Sequence, residues 1–246
     1  MFYEEYKVSD KLMDEITSIV VPDQVDNAFY WRFAKTTKAP DYGDMFEKKD
    51  CIADTPQMVH QLYTNCTPVS DHFWIFLKVF EDIDVEPLAI WRMKINMLFP
   101  NNSKIENPYQ APHRDIDMVK GVFKVLLLYV NDSDGDTLFF DEGGEIIGRS
   151  KPERGKALLF DASSVIHAGQ NPVESQFRIV CNTIFIPKSI EERINESVPD
   201  VTTPAATDMI DLGKFRGDFT SPVTKTITTA AQAQAAADAQ AAAQAA

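Results

Sequence analysis

Within Ala111-Pro112-His113-Arg114-Asp115, an imidazole and a carboxylate stand two residues apart. In an extended chain, side chains at that spacing point to one face. His113 and Asp115 on one face can ligate a single metal ion. A third ligand completes a facial set, and His167 supplies it from the end of the apolar segment Ser163-Ser164-Val165-Ile166. Two imidazoles and one carboxylate leave three positions of an octahedral ion open. The chain has 4 histidines in all. His60 and His72 have no carboxylate at ligand spacing and read as surface or packing residues.

Arg178 lies downstream of His167, and Gly169-Gln170-Asn171-Pro172-Val173 between them reads as a turn. The strand after the turn runs back antiparallel and returns Arg178 to the same cavity. A guanidinium fork suits a carboxylate, through bidentate, charge-assisted hydrogen bonds. An arginine among apolar strands has little other reason to be there. Two histidines and a carboxylate with open positions beside them are the arrangement of the non-haem Fe(II) oxygenases, in which a chelating cosubstrate and O2 both need room at the metal.

These residues need strands to hold them, and the texture of the chain from about 85 to 188 supplies strands. Ala89 to Phe99 alternates in part. Phe123 to Val130 is a continuous apolar run, as in a strand buried on both faces. It ends in Asn131-Asp132-Ser133-Asp134-Gly135-Asp136, dense in turn residues. No glutamate closes that segment as a calcium loop requires. Thr137 to Phe140, Ala157 to Phe160, Ser164 to His167 and Phe177 to Ile186 follow as short strands. Such a series predicts a barrel or sandwich. Trp91 and Arg92 have two readings, lining the mouth of the barrel or packing within the strand, and the second is preferred.

Residues 1 to about 82 predict helices packed on one outer face. Ser9-Asp10 opens one helix, with acidic residues in its first turns. Asp54-Thr55-Pro56-Gln57 carries cap and first-turn signals for a second, running through His60 and Tyr63. A third runs from Asp71 to Phe80, with Trp74, Phe76 and Phe80 in the core. From about 200 onward the chain is rich in Thr, Ala, Pro and Gln, a low-complexity tail without an apolar stripe. The expected organisation is a helical support region at 1–84, a core at 85–195 and a flexible Ala/Gln-rich tail at 196–246.

On these residues the sequence resembles the 2-oxoglutarate and Fe(II)-dependent oxygenase superfamily, and most its prolyl 4-hydroxylase-like branch. The resemblance covers roughly 88–188. It rests on His113-Arg114-Asp115, on Leu127-Leu128-Tyr129-Val130-Asn131 with Gly135-Asp136-Thr137-Leu138-Phe139, and on His167 with Arg178 behind it. It implies a mainly β fold, the double-stranded β-helix or jelly-roll. It implies Fe(II) on His113, Asp115 and His167, with Arg178 on the distal carboxylate of 2-oxoglutarate. Tyr129 falls where a tyrosine of some relatives reaches that carboxylate. Asn182, on the Arg178 face, is placed to reach the cosubstrate or metal-bound water, and Asn96 is a further candidate. The implied reaction hydroxylates an aliphatic C–H and releases succinate and CO2, with ascorbate as a reductant. A peptidyl proline is the first substrate expected and a small molecule the second. The sequence departs from the branch at Phe99-Pro100-Asn101, where many prolyl hydroxylases have Tyr-x-x-Gly, and at Gly135-Asp136, where they have Gly-Gly. The competing reading is a catalytically silent jelly-roll that binds or interacts.

Composition bounds the partners. The chain has 246 residues and a formal net charge of −13. That charge argues against nucleic acid, whose phosphates need a basic surface, and against an anionic membrane. There is no apolar run of about 18 residues, and the N-terminus lacks the order of a signal peptide. Cys51, Cys66 and Cys181 form neither a disulfide framework nor a zinc motif. A reducing cytoplasm is the expected compartment.

Overall fold

A computed structural model describes residues 2–22, 29–35, 55–101, 109–116 and 120–188. The expectations for the Ala/Gln-rich tail, for Cys51 and for Asp54 as a helix cap lie outside the described residues.

The strands are β1 (Tyr3–Lys7), β2 (Arg32–Ala34), β3 (Gln57–Thr64), β4 (Thr67–Pro68), β5 (Pro87–Leu98), β6 (Lys124–Tyr129), β7 (Thr137–Phe140), β8 (Ile146–Ser150), β9 (Lys156–Asp161), β10 (Ile166–Gly169) and β11 (Arg178–Pro187). They form two antiparallel sheets. The larger has the order β1-β9-β6-β11-β5-β3-β2, with β4 paired to β3, and the smaller has the order β10-β7-β8. This is the jelly-roll that the resemblance implies.

Among the described residues, two of the three hydrophobic clusters lie on opposite faces of β11 by strand alternation. On β11, Ile179, Cys181 and Phe185 face a cluster that includes Met13, Ile16, Phe76 and Phe80. Those four come from the helices α1 (Asp10–Val20) and α2 (Phe73–Asp82), which cover one face of the larger sheet. On its other face β11 presents Val180 and Ile184 to Tyr129, Phe139, Leu158 and Phe160, where the smaller sheet meets the larger. The interior that positions the site is this second core.

The helices sit where their spacing predicts. Leu12, Met13, Ile16 and Val20 form the buried stripe of α1. Ser9, just before it, donates from both its backbone N–H and its Oγ to the Asp82 carboxylate, each at 2.7 Å, and so ties the start of α1 to the end of α2. Trp74 is a correction: it is 43% exposed, whereas Phe76 and Phe80 are buried.

The helix expected through His60 and Tyr63 is strand β3. The capping signals are local, but the alternation decides the outcome: His60 lies opposite Ile95 on one face, and Val59 opposite Asn96 on the other. Pairing along β5, with β2 on the far edge, supplies backbone hydrogen bonds and a buried seat for Leu62 that an isolated helix lacks. His60 keeps its packing role. Its Nδ1 lies 2.7 Å from the Tyr30 carbonyl, and its ring sits 4.0 Å from that of Phe29.

Candidate metal centre and carboxylate site

His113 and His167 come from distant parts of the chain and meet as a two-residue antiparallel bridge. The His113 N–H donates to the His167 carbonyl at 2.9 Å, and the His167 N–H to the His113 carbonyl at 3.0 Å. Residues that exchange both bonds present their side chains on one face. The two imidazole centroids are 4.7 Å apart.

Asp115 follows at the same-face spacing, with its N–H on the Ala162 carbonyl at 3.1 Å. The turn that feeds β10 is fixed in its own right. Asp161 Oδ1 accepts from the N–H and Oγ of both Ser163 and Ser164. One ligand atom from each of His113, Asp115 and His167 lies within 4.8 Å of the others.

The donor chemistry fits a metal ion. In both histidines Nδ1 faces a backbone carbonyl, Ala111 O at 3.0 Å for His113 and Val165 O at 3.4 Å for His167. A proton held on Nδ1 leaves Nε2 as the ligand. Asp115 is buried. Burial alone raises a carboxyl pKa, but His167, Arg92 and His113 overcome that and hold Asp115 below the usual carboxylate range, ionised as a ligand must be.

Arg178, at the start of β11, is buried to 4% exposure. Its Nε donates to the Gly135 carbonyl and one terminal nitrogen to Thr137 Oγ1, both at 2.7 Å. Its guanidinium lies 5.7 Å from the centre of the Tyr129 ring. Among the described residues no carboxylate stands within ion-pair distance of it. Ser150, opposite Thr137 in the β7–β8 pairing, has a buried Oγ without a hydrogen-bond partner. Two glycines make the space. A Cβ at Gly169 would stand 3.2 Å from an Arg178 terminal nitrogen, and one at Gly135 would stand 2.5 Å from the Gln170 carbonyl. Gly169 is two residues beyond His167 on β10, one same-face step of about 7 Å. A buried cation with open N–H donors, beside an unpartnered hydroxyl and one step from the triad, fits a bound carboxylate.

No protein-family profile matches the sequence, and no curated protein matches it. Solved structures match in fold. An oxidoreductase of the 2OG-Fe(II) oxygenase family from Burkholderia pseudomallei aligns over 75% of this chain and 85% of its own, with TM-score 0.51 at 10% identity. The fold is that of the 2OG-Fe(II) oxygenases. A prolyl-4-hydroxylase from Pseudomonas putida aligns over 75% of this chain and 92% of its own at 12% identity, TM-score 0.46. A prolyl hydroxylase from Trichoplax adhaerens, solved with a hypoxia inducible factor peptide fragment, covers 80% and 88% at 9% identity, TM-score 0.49. At such identities the likeness reaches the fold, and the side chains must carry the chemistry.

On the oxygenase fold, the residues expected from sequence fall into three places. His113, Asp115 and His167 converge. Arg178 and Tyr129 lie together, and the Tyr129 hydroxyl donates to Thr137 Oγ1 at 2.8 Å, with the Ser150 carbonyl at 3.3 Å. Asn182 stands against a ligand: its Nδ2 donates to Asp115 Oδ2 at 3.1 Å. Asn96 lies on the interior face, opposite Val180, and its Oδ1 is buried without a hydrogen-bond partner.

Two further residues stand at the site that the sequence does not place there. Thr137 bridges Tyr129 and Arg178. It stands inside the Gly135-to-Phe139 block that carries the resemblance, but its role depends on how β7 faces β11. Arg92, expected to pack within its strand, instead donates to Asp115 Oδ1 at 3.0 Å. Only the pairing of Arg92 with Ile184, far away in sequence, brings it there. No described helix is long and apolar enough to cross a membrane.

Proposed function

We propose that this chain is a 2-oxoglutarate- and Fe(II)-dependent dioxygenase that hydroxylates an aliphatic C–H, with release of succinate and CO2. The observation that carries the reading is Arg178: a fully buried cation without a carboxylate at ion-pair distance among the described residues, packed on Gly169, which is one same-face step along β10 from His167. A buried charge left unpaired is costly, and a dicarboxylate held by Arg178 at one end and by the metal at the other offsets that cost.

In this reading His113, Asp115 and His167 hold iron, which supplies the oxidising power when bound. The chain's own residues do the rest. Arg178 and the Thr137 and Tyr129 hydroxyls bind and orient the distal carboxylate of 2-oxoglutarate. Phe139, Phe160 and Val180 line the interior and exclude water. Ascorbate is the reductant expected to keep the metal ferrous. The substrate is a peptide or a small molecule, with peptidyl proline the first to assay, because the sequence resembles the prolyl 4-hydroxylase-like branch.

The test is anaerobic. Fe(II) and then 2-oxoglutarate are added to the purified protein, and the visible metal-to-ligand charge-transfer band of the chelate is sought. A band in the wild type that is lost in His167→Ala, and that needs far more 2-oxoglutarate in Arg178→Ala, supports the reading. A folded, metal-loaded wild type without the band refutes it in favour of a silent jelly-roll.

A further inference from the structure

The Asp115 carboxylate is held on both oxygens, and the two holds differ. Oδ2 lies 3.4 Å from His167 Nε2 and accepts from Asn182 Nδ2 at 3.1 Å. Oδ1 accepts from an Arg92 terminal nitrogen at 3.0 Å. The same nitrogen donates to Asn182 Oδ1 at 3.2 Å. That last bond fixes the Asn182 amide: with its oxygen on Arg92, its NH2 must face Asp115. The three side chains form a closed triangle across β5, β11 and the loop after His113.

An ion that takes the Nε2 lone pair of His167 meets Oδ2, while Oδ1 is committed to the guanidinium. A carboxylate free of such a partner can chelate through both oxygens and fill a position that a facial set must leave open. We propose that Arg92 is a positioning residue that keeps Asp115 a one-oxygen ligand and so preserves the third open position. Asn182 transmits the same constraint to the second oxygen. The inference rests on the metal-site reading above and adds what determines how many positions the ion keeps open there.

The test separates this idea from that reading. Mn(II), added without 2-oxoglutarate, reports the number of exchangeable waters on the ion through the relaxation it gives to solvent protons. Arg92→Met, Arg92→Gln and Arg92→Lys are compared with wild type, each checked for a wild-type thermal transition. The expected result is Mn(II) binding within about tenfold to a hundredfold of wild type, the range for outer-shell changes, with a water-proton relaxation enhancement per bound ion lower by about a third in Arg92→Met, as three solvent positions become two, and recovered in part in Arg92→Lys, whose ammonium restores a charged donor. The Fe(II)–2-oxoglutarate charge-transfer band should shift in parallel. A wild-type relaxation enhancement in Arg92→Met overturns the proposal. If Arg92→Met does not fold, Arg92→Gln, which lacks both the charge and the reach of the guanidinium, decides in its place. A relaxation difference without any charge-transfer band in wild type keeps the clamp and removes the oxygenase.

Discussion

Asp115 and Arg178 are both buried charges in the same interior, and the protein treats them in opposite ways. Asp115 is satisfied from within the chain, by Arg92, Asn182 and a neighbouring imidazole. Arg178 has a carbonyl, a hydroxyl and an aromatic face, and among the described residues no carboxylate at ion-pair distance, Asp136 acting on it only from farther away. A finished charge pair and an unfinished one therefore line the same interior. In the proposed reading, the carboxylate end holds a geometry, whereas the guanidinium end receives a charge.

The harshest way to break this contrast is to remove a ligand. His167→Ala is expected to abolish tight Fe(II) binding, a loss of more than about a hundredfold or ~2.7 kcal/mol, as titration calorimetry would read. Its fold should survive, because the His167 bridge to His113 is made by the backbone. Phe185→Ala, on the helix-covered face of β11, should do the reverse: lower global stability by about 3–5 kcal/mol in denaturant unfolding while leaving metal affinity per folded molecule unchanged. A large affinity loss in that variant would mean that the two faces of β11 are not separable.

Arg178→Met sharpens the contrast most. Replacing an unpaired buried cation by an apolar chain of similar length should raise the melting temperature without 2-oxoglutarate. It should also remove the stabilisation that 2-oxoglutarate gives the wild type, and weaken its binding by about 2–5 kcal/mol. A lower melting temperature in Arg178→Met would show that Arg178 is already paired within the chain.

The smallest effect is Asp161→Asn. Burial raises the Asp161 pKa, but the hydroxyls and N–H groups of Ser164 and Ser163 outweigh it and hold the carboxyl below its ordinary value. A depressed carboxyl stabilises above its unfolded value and loses that contribution as pH falls through its folded one. The wild type should therefore exceed Asp161→Asn by on the order of 1 kcal/mol at neutral pH. The margin should shrink as the pH drops below the ordinary carboxylate range. A margin that holds constant into acid would exclude ionised Asp161 as its source.

The strongest features were legible because their signals are local or apolar. His113-x-Asp115 needs only the two-residue alternation of an extended chain. The run from Phe123 to Val130 announces β6. What escaped depends on partners far away in sequence. Arg92 reaches Asp115 only through the β5–β11 register. β3 carries the local marks of a helix and becomes a strand because β5 pairs along it. β1 and β8 were missed for a simpler reason: most of their side chains are exposed or only partly buried, so they show no apolar alternation.

On the proposed reading, the bridge between His113 and His167 also makes iron loading a question of timing. Two ligands sit on a pair of reciprocal backbone bonds that join distant segments, so they are in place only once the interior has closed. Loading is then a checkpoint on completed folding, and a chelator should act as a crowbar at that seam. Metal-free protein would exchange the amide hydrogens of His113 and His167 sooner than those of β6 and β11, and added iron would slow them selectively.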